Sequence, residues 1–509
     1  MEATLYQFKT EPFKHQAADF ENSRDREHWG LWWEMGVAKT KPLIDTFSWL
    51  WLQGKLEGVL VLAPEGVNAQ WLDDEIPTHM PLQVQDSLDK FIWFTSKAGQ
   101  VKYTADWLTF LKRPRAGGLS VMTMTYDALM TDAGAKAAKV FLESRRCMLI
   151  LDESTRIKTP GAKVTKRVLA MSKYARYRRI ANGTPIADSP FNAYTQIKFL
   201  NPMAWHHLGI QDSQGFHTYF GQYEKRQLSA PRRITGNNGR SWMMTHFDHL
   251  VGYRNLDDMA KVVAAHGSRL LKRDVFPDLP PKLYSKHYFE LSPKQRKAYE
   301  DLKQEMITWL ESGVSVTAVL AIVRQTRLQQ VCSGYLPADD EHELRSLVEP
   351  KDNPRIKLLL DVMEDVPGKV IIWGKYDIDV DLIGSALRDK MGWDIVTWDG
   401  RTSEEDRRTA KSRFLDPSGA RAFVGKASSS AARGLNLQVA DTVVYYNNSF
   451  VLDDRQQSED RAHRPGIHHP VKYIDLIARG TIDELILRAL RAKRDVAALV
   501  TGDQLSEWV

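Results

Sequence analysis

A glycine-containing loop followed at once by a lysine and a threonine is the first stretch whose residue types could do chemistry. It reads WWEMGVAKTK over residues 32–41. Backbone amides in such a loop, together with the N-terminus of the helix that follows, bind an anion such as a nucleotide phosphate. We predict that Gly36, Val37 and Ala38 surround the phosphates. Lys39 is expected to contact the β- and γ-phosphates, and Thr40 the Mg²⁺.

Two residues of this loop depart from the usual phosphate-loop pattern, GxxxxGK[ST]. Trp33 and Ala38 stand where that pattern has glycines. A β-carbon at position 38 costs about 1–2 kcal/mol if the residue needs a positive φ, and little if φ is negative. Converting Ala38 to Gly should therefore leave nucleotide affinity unchanged or improve it.

A pair of carboxylates follows an apolar stretch in LILDEST, residues 149–155. Asp152 and Glu153 are expected at the C-terminal end of a parallel strand, where such sheets place groups that bind ligands. Asp152 could hold Mg²⁺ through water, and Glu153 could orient the water that attacks a γ-phosphate. The alternative is a strand followed by an acidic helix cap. The upstream Lys-Thr loop in the same α/β unit favours the catalytic interpretation.

A third group of candidates lies in QQSEDRAHRPG, residues 456–466. Gln457, Arg461 and Arg464 are spaced i, i+4 and i+7, which predicts that all three share one helical face. Two guanidiniums on one face suit a triphosphate, because Arg binds phosphate oxygens in pairs and stays charged. A solvated, charged helix is the alternative for this motif taken alone.

The elements that must position these residues form two sets. Short apolar runs, such as GVLVLAP and CMLILDE in the first half and KVIIWGKY and DTVVYYNN in the second, alternate with longer amphipathic stretches. This predicts an α/β fold with two parallel-sheet domains in tandem and helical insertions. We place the domains at residues 1–202 and 276–509, with an irregular or helical insertion at 203–275 and a helical protrusion at about 292–345.

The order of the three motifs favours one arrangement. A Lys-Thr loop, then Asp-Glu, then paired arginines late in a second α/β domain is typical of a two-domain nucleic-acid motor. ATP would lie in the cleft between the domains, with the arginines reaching it from the second domain. Closure of the cleft would couple hydrolysis to movement.

Composition agrees with that interpretation. The net charge of +6 suits a polyanionic partner such as nucleic acid, although many basic proteins share it. Two cysteines form no disulfide framework, which favours a reducing, cytoplasmic location, in the nucleoid or a host cell. The N-terminal sequence has no signal-peptide pattern, and no apolar run is long enough to cross a bilayer.

At this point the chain resembles the superfamily 2 helicase-like ATPases, specifically the Swi/Snf-type translocases of double-stranded DNA and their small bacterial or phage members. Segments resembling the family's motifs follow in the family's order from about residue 12 to 487: PFKHQAADF, VLVLAPEGVNAQW, LSVMTMTYDAL, LDESTRIKTPGAKV, RRIANGTPIAD, SSSAARGLNLQVAD and QQSEDRAHRPG. The resemblance implies two RecA-like domains, the use of ATP with Mg²⁺, and an adenine contact at Gln16.

The resemblance also implies which residues contact the DNA backbone. The candidates come from both halves of the chain: Pro64, Thr125, Tyr126, Thr184, Ser428 and Asn436. Contacts of this kind position a protein without reading bases, so binding to duplex or branched DNA should depend on salt and not on sequence. Each of these residues could equally cap the end of a strand.

Several positions depart from the family's pattern. Ser154 and Thr155 stand where the family has Ala-His, and that histidine helps to link the ATP site to the DNA side. Ala431 and Ala432 replace glycines, and Ile467 replaces a glutamine. At Trp33 the family has Asp, so this residue is not a lost glycine. We therefore expect these changes to affect most the coupling of ATP hydrolysis to DNA binding.

Three functions remain open from the sequence. The first is a double-stranded DNA translocase that remodels DNA structures or DNA-bound proteins, and the second is a helicase that separates strands or migrates branches. The third is a DNA-binding protein that binds nucleotide without hydrolysing it, which Ala38 would explain but Glu153 and the paired arginines would not. A protein partner recruited by residues 203–275 is a further possibility.

Overall fold

The computed structural model describes residues 6–112, 117–183, 185–186, 188–235, 241–311, 318–337, 344–428, 435–501 and 503. Its strands, in chain order, are β1 (His28–Trp33), β2 (Gly58–Ala63), β3 (Leu88–Trp93), β4 (Leu119–Thr125), β5 (Cys147–Asp152), β6 (Tyr177–Ala181), β7 (Gly221–Thr235), β8 (Ser241–Tyr253), β9 (Gly267–Leu270), β10 (Lys282–Phe289), β11 (Tyr335–Pro337), β12 (Leu344–Ser346), β13 (Val370–Gly374), β14 (Ile395–Trp398), β15 (Ala422–Lys426), β16 (Thr442–Tyr445) and β17 (Val471–Ala478).

The α-helices are α1 (Lys14–Ser23), α2 (Thr40–Leu52), α3 (Val67–Gln70), α4 (Ile76–His79), α5 (Leu82–Gln85), α6 (Val101–Lys112), α7 (Tyr126–Leu129), α8 (Asp132–Glu143), α9 (Lys163–Ser172), α10 (Ala193–Leu200), α11 (Ser213–Phe220), α12 (Leu256–Ala265), α13 (Lys272–Val275), α14 (Pro293–Glu311), α15 (Ala318–Ser333), α16 (Pro354–Glu364), α17 (Asp377–Met391), α18 (Glu404–Leu415), α19 (Leu452–Glu459) and α20 (Ile482–Thr501). A π-helix, Trp71–Glu75, lies between α3 and α4.

The chain divides into two compact units. The first contains residues 1–220, 255–279 and 496–504, and the second contains residues 221–254, 280–495 and 505–509. Each unit has its own parallel sheet, which agrees with the predicted fold class.

The sheet of the first unit has seven strands in the order β3-β4-β2-β5-β6-β1-β9, all of them parallel. Alternate residues of β2 enter two different hydrophobic clusters: Leu60 and Leu62 pack in one, and Val59 and Val61 in the other. Both faces of the sheet are therefore covered, which is why its strands are continuous apolar runs.

The sheet of the second unit has six parallel strands in the order β10-β17-β16-β13-β15-β14. Its central strand β13 reads VIIWG and is buried along its whole length. Val370 and Ile372 pack against Ile383 and Leu387 of α17 in one cluster. The carboxyl ends of both sheets carry the motifs that the sequence singled out.

The insertion expected at residues 203–275 differs from the prediction in two ways. Residues 267–270 form β9, which pairs with β1 at the edge of the first sheet, with Gly30 opposite Gly267. Between α11 and α12, β7 and β8 form a long antiparallel pair instead of helices. Neither segment has an apolar run or a regular alternation of apolar and polar residues, so the sequence does not predict strands there. The protrusion at 292–345 contains α14 and α15, followed by the short strands β11 and β12.

None of the helices in the described ranges combines the length and the apolar character that crossing a membrane requires.

Candidate functional site

The Lys-Thr loop connects the end of β1 to the start of α2, which begins at Thr40. Gly36 has a φ of 81° and Ala38 a φ of 55°, so the loop passes through the left-handed region twice. The Lys39 Nζ donates hydrogen bonds to the carbonyl oxygens of Trp33 (3.1 Å) and Glu34 (3.3 Å). The ammonium group thus lies against the backbone of the loop, and a cation held there suits phosphate binding.

Helix α1 supports this loop from outside. The Gln16 side chain is buried; its Nε2 donates to the Ala38 carbonyl at 2.9 Å, and its Oε1 accepts from the Phe13 N–H at 2.8 Å. The His15 ring contacts the Val37 carbonyl at 3.2 Å. Both side chains hold the backbone of the phosphate loop, and the adenine contact of Gln16 stays a prediction.

Asp152 ends β5 and is held by two aromatic residues. The indole Nε1 of Trp71, in the π-helix, donates to Asp152 Oδ2 at 2.9 Å. The Tyr126 hydroxyl donates to the Asp152 carbonyl, also at 2.9 Å. Burial raises the pKa of the Asp152 carboxyl, and the Trp71 hydrogen bond and the charge of Lys39 act in the opposite direction. Trp71 was missed by the sequence reasoning, because an apolar side chain in a helix gives no sign of its hydrogen bond.

Glu153 occupies a backbone conformation that is unusual for a non-glycine residue. Its φ and ψ are 57° and 60°, and its N–H donates to the Ala181 carbonyl at the end of β6 at 2.9 Å. Such conformations cost about 1–3 kcal/mol and persist where the surroundings impose them, which is common at functional sites. The conformation turns the chain sharply at the end of β5, directly after Asp152.

A closed hydrogen-bond triangle joins the residue after Glu153 to two other elements. Asn182 Nδ2 donates to Ser154 Oγ at 3.0 Å and to Gln196 Oε1 at 2.9 Å, and Ser154 Oγ donates to the same Gln196 oxygen. Gln196 Nε2 in turn donates to the carbonyls of Pro185 and Asn192. All three side chains of the triangle are buried. The departure at Ser154 therefore belongs to a polar network whose central member, Gln196, no motif had indicated.

The edge strand β9 also contributes to the site. Arg269 donates to the carbonyl oxygens of Trp32 at 2.6 Å and of Gly183 at 3.2 Å, and pairs with the Asp503 carboxylate at 2.7 Å. A β-carbon on Gly183 would lie 2.8 Å from Met35 Cγ of the phosphate loop. Gly183 of the Asn-Gly-Thr-Pro segment is therefore packed directly against the Lys-Thr loop.

The residues of the first unit that were predicted to contact nucleic acid have different environments. Thr125 caps α7 by accepting a hydrogen bond from the Ala128 N–H at 3.0 Å. Pro64 is buried at the end of β2. Tyr126 is only 1% exposed, and its hydroxyl is engaged by Asp152, so it supports the carboxylate from the core and does not face a DNA strand. Thr184 lies outside the described residues.

In the second unit the predicted helical face is wrong. Helix α19 ends at Glu459, and the Arg461 N–H bonds to the Ser458 carbonyl, three residues back, in a tightened turn. The two guanidiniums nevertheless converge on one atom: Arg461 Nη1 and Arg464 Nη2 donate to the Leu435 carbonyl at 3.4 Å and 2.9 Å. Gln457 instead donates to Asp453 at 3.0 Å, within the helix.

A buried ion-pair network fixes α19 to the second sheet. Arg455 pairs with both oxygens of Asp475 on β17, at 2.5 Å and 3.1 Å, and with Glu459 at 2.8 Å. Lys282 of β10 pairs with Glu459 at 3.1 Å. The network positions the helix that leads to Arg461. The sequence suggested only charged residues here and gave no sign that they are buried.

The remaining nucleic-acid candidates of this unit follow its strands. Ser428 is exposed two residues after β15. Asn436 Oδ1 accepts a weak hydrogen bond from the Gln438 N–H at 3.3 Å, which makes it a turn residue next to the carbonyl that both arginines contact. Ala431 and Ala432 lie outside the described residues.

The groups available for a divalent cation are few. Within the described ranges there is no cluster of three or more His, Cys, Asp or Glu side chains suited to metal binding. Thr40 at the start of α2 and Asp152 at the end of β5 supply oxygen ligands of the kind Mg²⁺ prefers. This sparse set fits Mg²⁺ that is held mainly by phosphate oxygens and water, and it does not fit a protein-only metal site.

Comparison with known proteins adds to this geometry. The family described as SNF2-related domain matches residues 21–334, and that described as Helicase conserved C-terminal domain matches residues 354–466. The solved structure of the Sulfolobus solfataricus SWI2/SNF2 ATPase core in complex with dsDNA is 20% identical with a TM-score of 0.40, over 99% of this chain and 96% of that one.

Curated relatives are longer proteins. Protein CHROMATIN REMODELING 4 of Arabidopsis thaliana is 24% identical over 90% of this chain and 19% of its own length. The SWI/SNF chromatin-remodeling complex subunit snf22 of Schizosaccharomyces pombe is 23% identical over 91% of this chain and 26% of its own length. The human SWI/SNF-related matrix-associated actin-dependent regulator of chromatin subfamily A member 1 is 22% identical over 92% and 41%. This chain thus spans less than half the length of these relatives.

Proposed function

The chain belongs to the family of the SNF2-related domain, and from that premise we propose that it is an ATP-dependent motor that moves along double-stranded DNA. The observation that carries the proposal is the arrangement in the first unit. Lys39 and Asp152 lie at the carboxyl ends of β1 and β5 of one parallel sheet. Burial raises the pKa of the Asp152 carboxyl, and the charge of Lys39 acts against that shift. The carboxyl edge of such a sheet is where nucleotides bind.

The residues of the first unit then have separate roles. The ammonium of Lys39 neutralises the β- and γ-phosphates of ATP, and the amides of the loop bind their oxygens. Asp152, through water, and Thr40 would hold Mg²⁺, which would offset the negative charge of the phosphate oxygens. Glu153 orients the attacking water and accepts its proton. The triangle of Ser154, Asn182 and Gln196 keeps that turn of the chain in place.

The second unit supplies cationic groups. Arg461 and Arg464 stabilise the charge that develops on the transferred phosphoryl group, the role for which guanidinium groups are best suited. Their convergence on the Leu435 carbonyl supports a joint role, because it keeps two like charges near each other. Burial lowers the pKa of the Arg464 guanidinium.

Duplex DNA is the proposed track. The basic net charge of the chain supports a polyanionic partner. Ser428 and Asn436 follow strands of the second sheet and are suited to phosphate contacts, which position a motor without reading bases. Remodelling of DNA-bound proteins is the proposed outcome of movement along the duplex.

The deciding experiment compares ATP turnover without nucleic acid and with single-stranded DNA, duplex, fork, four-way junction and RNA. We expect duplex-containing DNA to stimulate turnover most. The Glu153→Gln variant should bind nucleotide normally and lose turnover by at least about a hundredfold, as expected for loss of a general base. Turnover that no nucleic acid changes would contradict the proposal.

Strand separation is the second candidate function, and the same motifs would serve it. Displacement of a third strand from a triplex requires translocation alone, whereas a forked duplex requires unwinding. We expect displacement of the triplex strand without unwinding of the fork. Unwinding at a comparable rate would assign the chain to the helicases. The third alternative, a protein that binds nucleotide without hydrolysis, fails if the wild type turns over ATP and Glu153→Gln does not.

A further inference from the structure

The antiparallel pair β7 and β8 is not part of either large sheet. It forms a two-stranded sheet of its own, with Gly221 opposite Tyr253 at its base and Thr235 opposite Ser241 at its far end. Each strand of 13 to 15 residues extends about 40–50 Å at roughly 3.4 Å per residue. We call residues 221–253 the arm.

Solvent reaches most of the described side chains of the arm. Met243 is 57% exposed, Val251 46% and Phe247 38%. A two-stranded hairpin with nothing packed on it is at best marginally stable in water. Apolar side chains left in water along such an element indicate that another molecule covers it.

The charge of the arm indicates which molecule. Residues 221–253 contain five Lys or Arg and two Asp or Glu, a net charge of +3 against +6 for the whole chain. Both acidic residues, Glu224 and Asp248, lie near the base. Between Lys225 and Phe247 the sequence has arginines and no acidic residue. The distal part of the arm is therefore uniformly positive.

The arginines lie beside apolar side chains. Arg226 is opposite Phe247, and Arg233 is opposite Met243, and the side chains of both arginines are exposed. Residues opposite each other on paired strands are direct neighbours. Guanidinium groups bind phosphate oxygens in pairs, and apolar side chains between them can lie against sugars or enter a groove.

We infer that the arm is a second binding surface for double-stranded DNA, separate from the helicase motifs. It contacts the phosphates of the duplex through Lys225, Arg226 and Arg233, whose side chains are exposed. A two-stranded ribbon fits the major groove of a duplex, and this shape favours a duplex over a single strand as the occupant. This inference rests on the proposed function only in taking DNA as the track.

The test is a triple variant, Lys225→Gln/Arg226→Gln/Arg233→Gln, in the full chain. Its matched control is Lys136→Gln/Arg388→Gln/Lys390→Gln, which removes the same charge from exposed positions of α8 and α17. The dissociation constant for a blunt duplex of about 40 base pairs is measured from 50 to 300 mM KCl. Circular dichroism confirms that both variants are folded.

The expected result is a smaller salt dependence. Each lost phosphate contact lowers the slope of log K against log[KCl] by about 0.9, so the arm variant should lose about 2–3 in slope and bind about tenfold or more weakly. The control should lose less than about 1. ATP turnover at saturating duplex should stay at the wild-type value, because the arm lies outside the ATP site.

Three outcomes would overturn the inference. The arm variant could bind duplex with the wild-type slope, or it could lose affinity equally for a single-stranded oligonucleotide of the same length. As a third outcome, polyglutamate could displace the bound duplex as effectively as an unlabelled duplex of equal charge does. That result would indicate that an acidic protein occupies the arm. Failure of the proposed function is distinguishable, since it shows as wild-type turnover that duplex DNA does not stimulate, whatever the binding slope.

Discussion

Two residues of the first unit's site, Ala38 and Glu153, hold left-handed backbone conformations that glycine adopts without strain. Among the described residues only three non-glycine residues have a positive φ, and two of them lie here. Ala38 lies where the loop turns into α2, and Glu153 lies where the chain leaves β5. Strain of this kind persists when the surroundings impose it. The site therefore lowers the stability of the first unit locally, because residues with a β-carbon occupy conformations that favour glycine.

Ala38→Gly should relieve part of that cost. A β-carbon at φ 55° costs about 1–2 kcal/mol, and glycine gives back about 0.5–1 kcal/mol through backbone entropy. We expect the free energy of unfolding of the first unit to rise by about 1 kcal/mol in urea titrations, with ATP turnover retained.

Ala98→Gly is the matched control, because Ala98 has a φ of −59°. There the same substitution should lower stability by about 0.5–1 kcal/mol. A marked loss of turnover in Ala38→Gly would mean that the loop depends on the alanine. It would contradict the interpretation of Ala38 as a tolerated departure.

At the scale of elements, the triangle of Ser154, Asn182 and Gln196 joins the ends of β5 and β6 to α10. The two strands are neighbours in the sheet, and α10 packs behind their carboxyl ends. A satisfied buried network specifies one arrangement of the elements that it connects. The turn that contains Glu153 is thereby hydrogen-bonded to Asn182, the first residue of the Asn-Gly-Thr-Pro segment.

Gln196→Leu should disrupt this hydrogen-bond network. It leaves Ser154 and Asn182 buried without their shared acceptor, which costs about 1–3 kcal/mol in unfolding free energy. If Gln196 positions Glu153, kcat should fall while KM for ATP changes little. In the double variant with Ser154→Ala, the cycle should give a coupling energy of about 0.5–3 kcal/mol.

Val168→Ala is the control for stability alone. Val168 is buried in the same unit on α9, and its truncation should cost about 2 kcal/mol. Well below its melting temperature this control should keep the wild-type kcat. An equal fall of kcat in both variants would assign the network a merely structural role.

The elements that the sequence predicted correctly are those that the local residue composition determines. Strands such as β2, β5 and β13 are continuous apolar runs, and a strand buried on both faces requires that composition. The family and the fold class were also confirmed. They could be predicted because the motifs follow those strands in order. The Lys-Thr loop and the Asp-Glu pair follow β1 and β5, as expected for ligand groups at a carboxyl edge.

What the sequence could not predict depends on distant contacts. The strand β9 reads GSRL, and it is a strand because the open edge of β1 offers hydrogen bonds to it. The spacing of Arg461 and Arg464 fitted one helical face, but α19 ends at Glu459 before either of them. Tyr126 and Trp71 acquire their roles only when folding brings them to Asp152.

At the scale of the whole molecule, the chain is built from two units with separate cores and separate polar networks. In the second unit the pair of Arg455 and Asp475 is buried, with both side chains 3% exposed. Without Asp475, Arg455 keeps Glu459 as a partner but loses its two hydrogen bonds to the Asp475 carboxylate in a medium that solvates ions poorly.

Asp475→Asn should therefore destabilise the second unit by about 1.5–3 kcal/mol. In differential scanning calorimetry we expect one of two unfolding transitions to move down, while the transition that Ala38→Gly raises stays in place. The control is Asp381→Asn, whose pair with Arg401 is more than half exposed and should matter by less than about 1 kcal/mol. Joint movement of both transitions would show that the units unfold as one block.

The placement of residues 496–504 in the first unit has a consequence for how the protein is made. Val500 is buried in the same hydrophobic cluster as Trp32 and Leu60, and Asp503 pairs with Arg269. A ribosome completes residues 1–279 long before these partners emerge, because all of residues 280–495 are translated in between. Part of the first unit's apolar core therefore remains exposed to solvent while the second unit is synthesised. During that interval the nascent chain presents the kind of surface that chaperones bind.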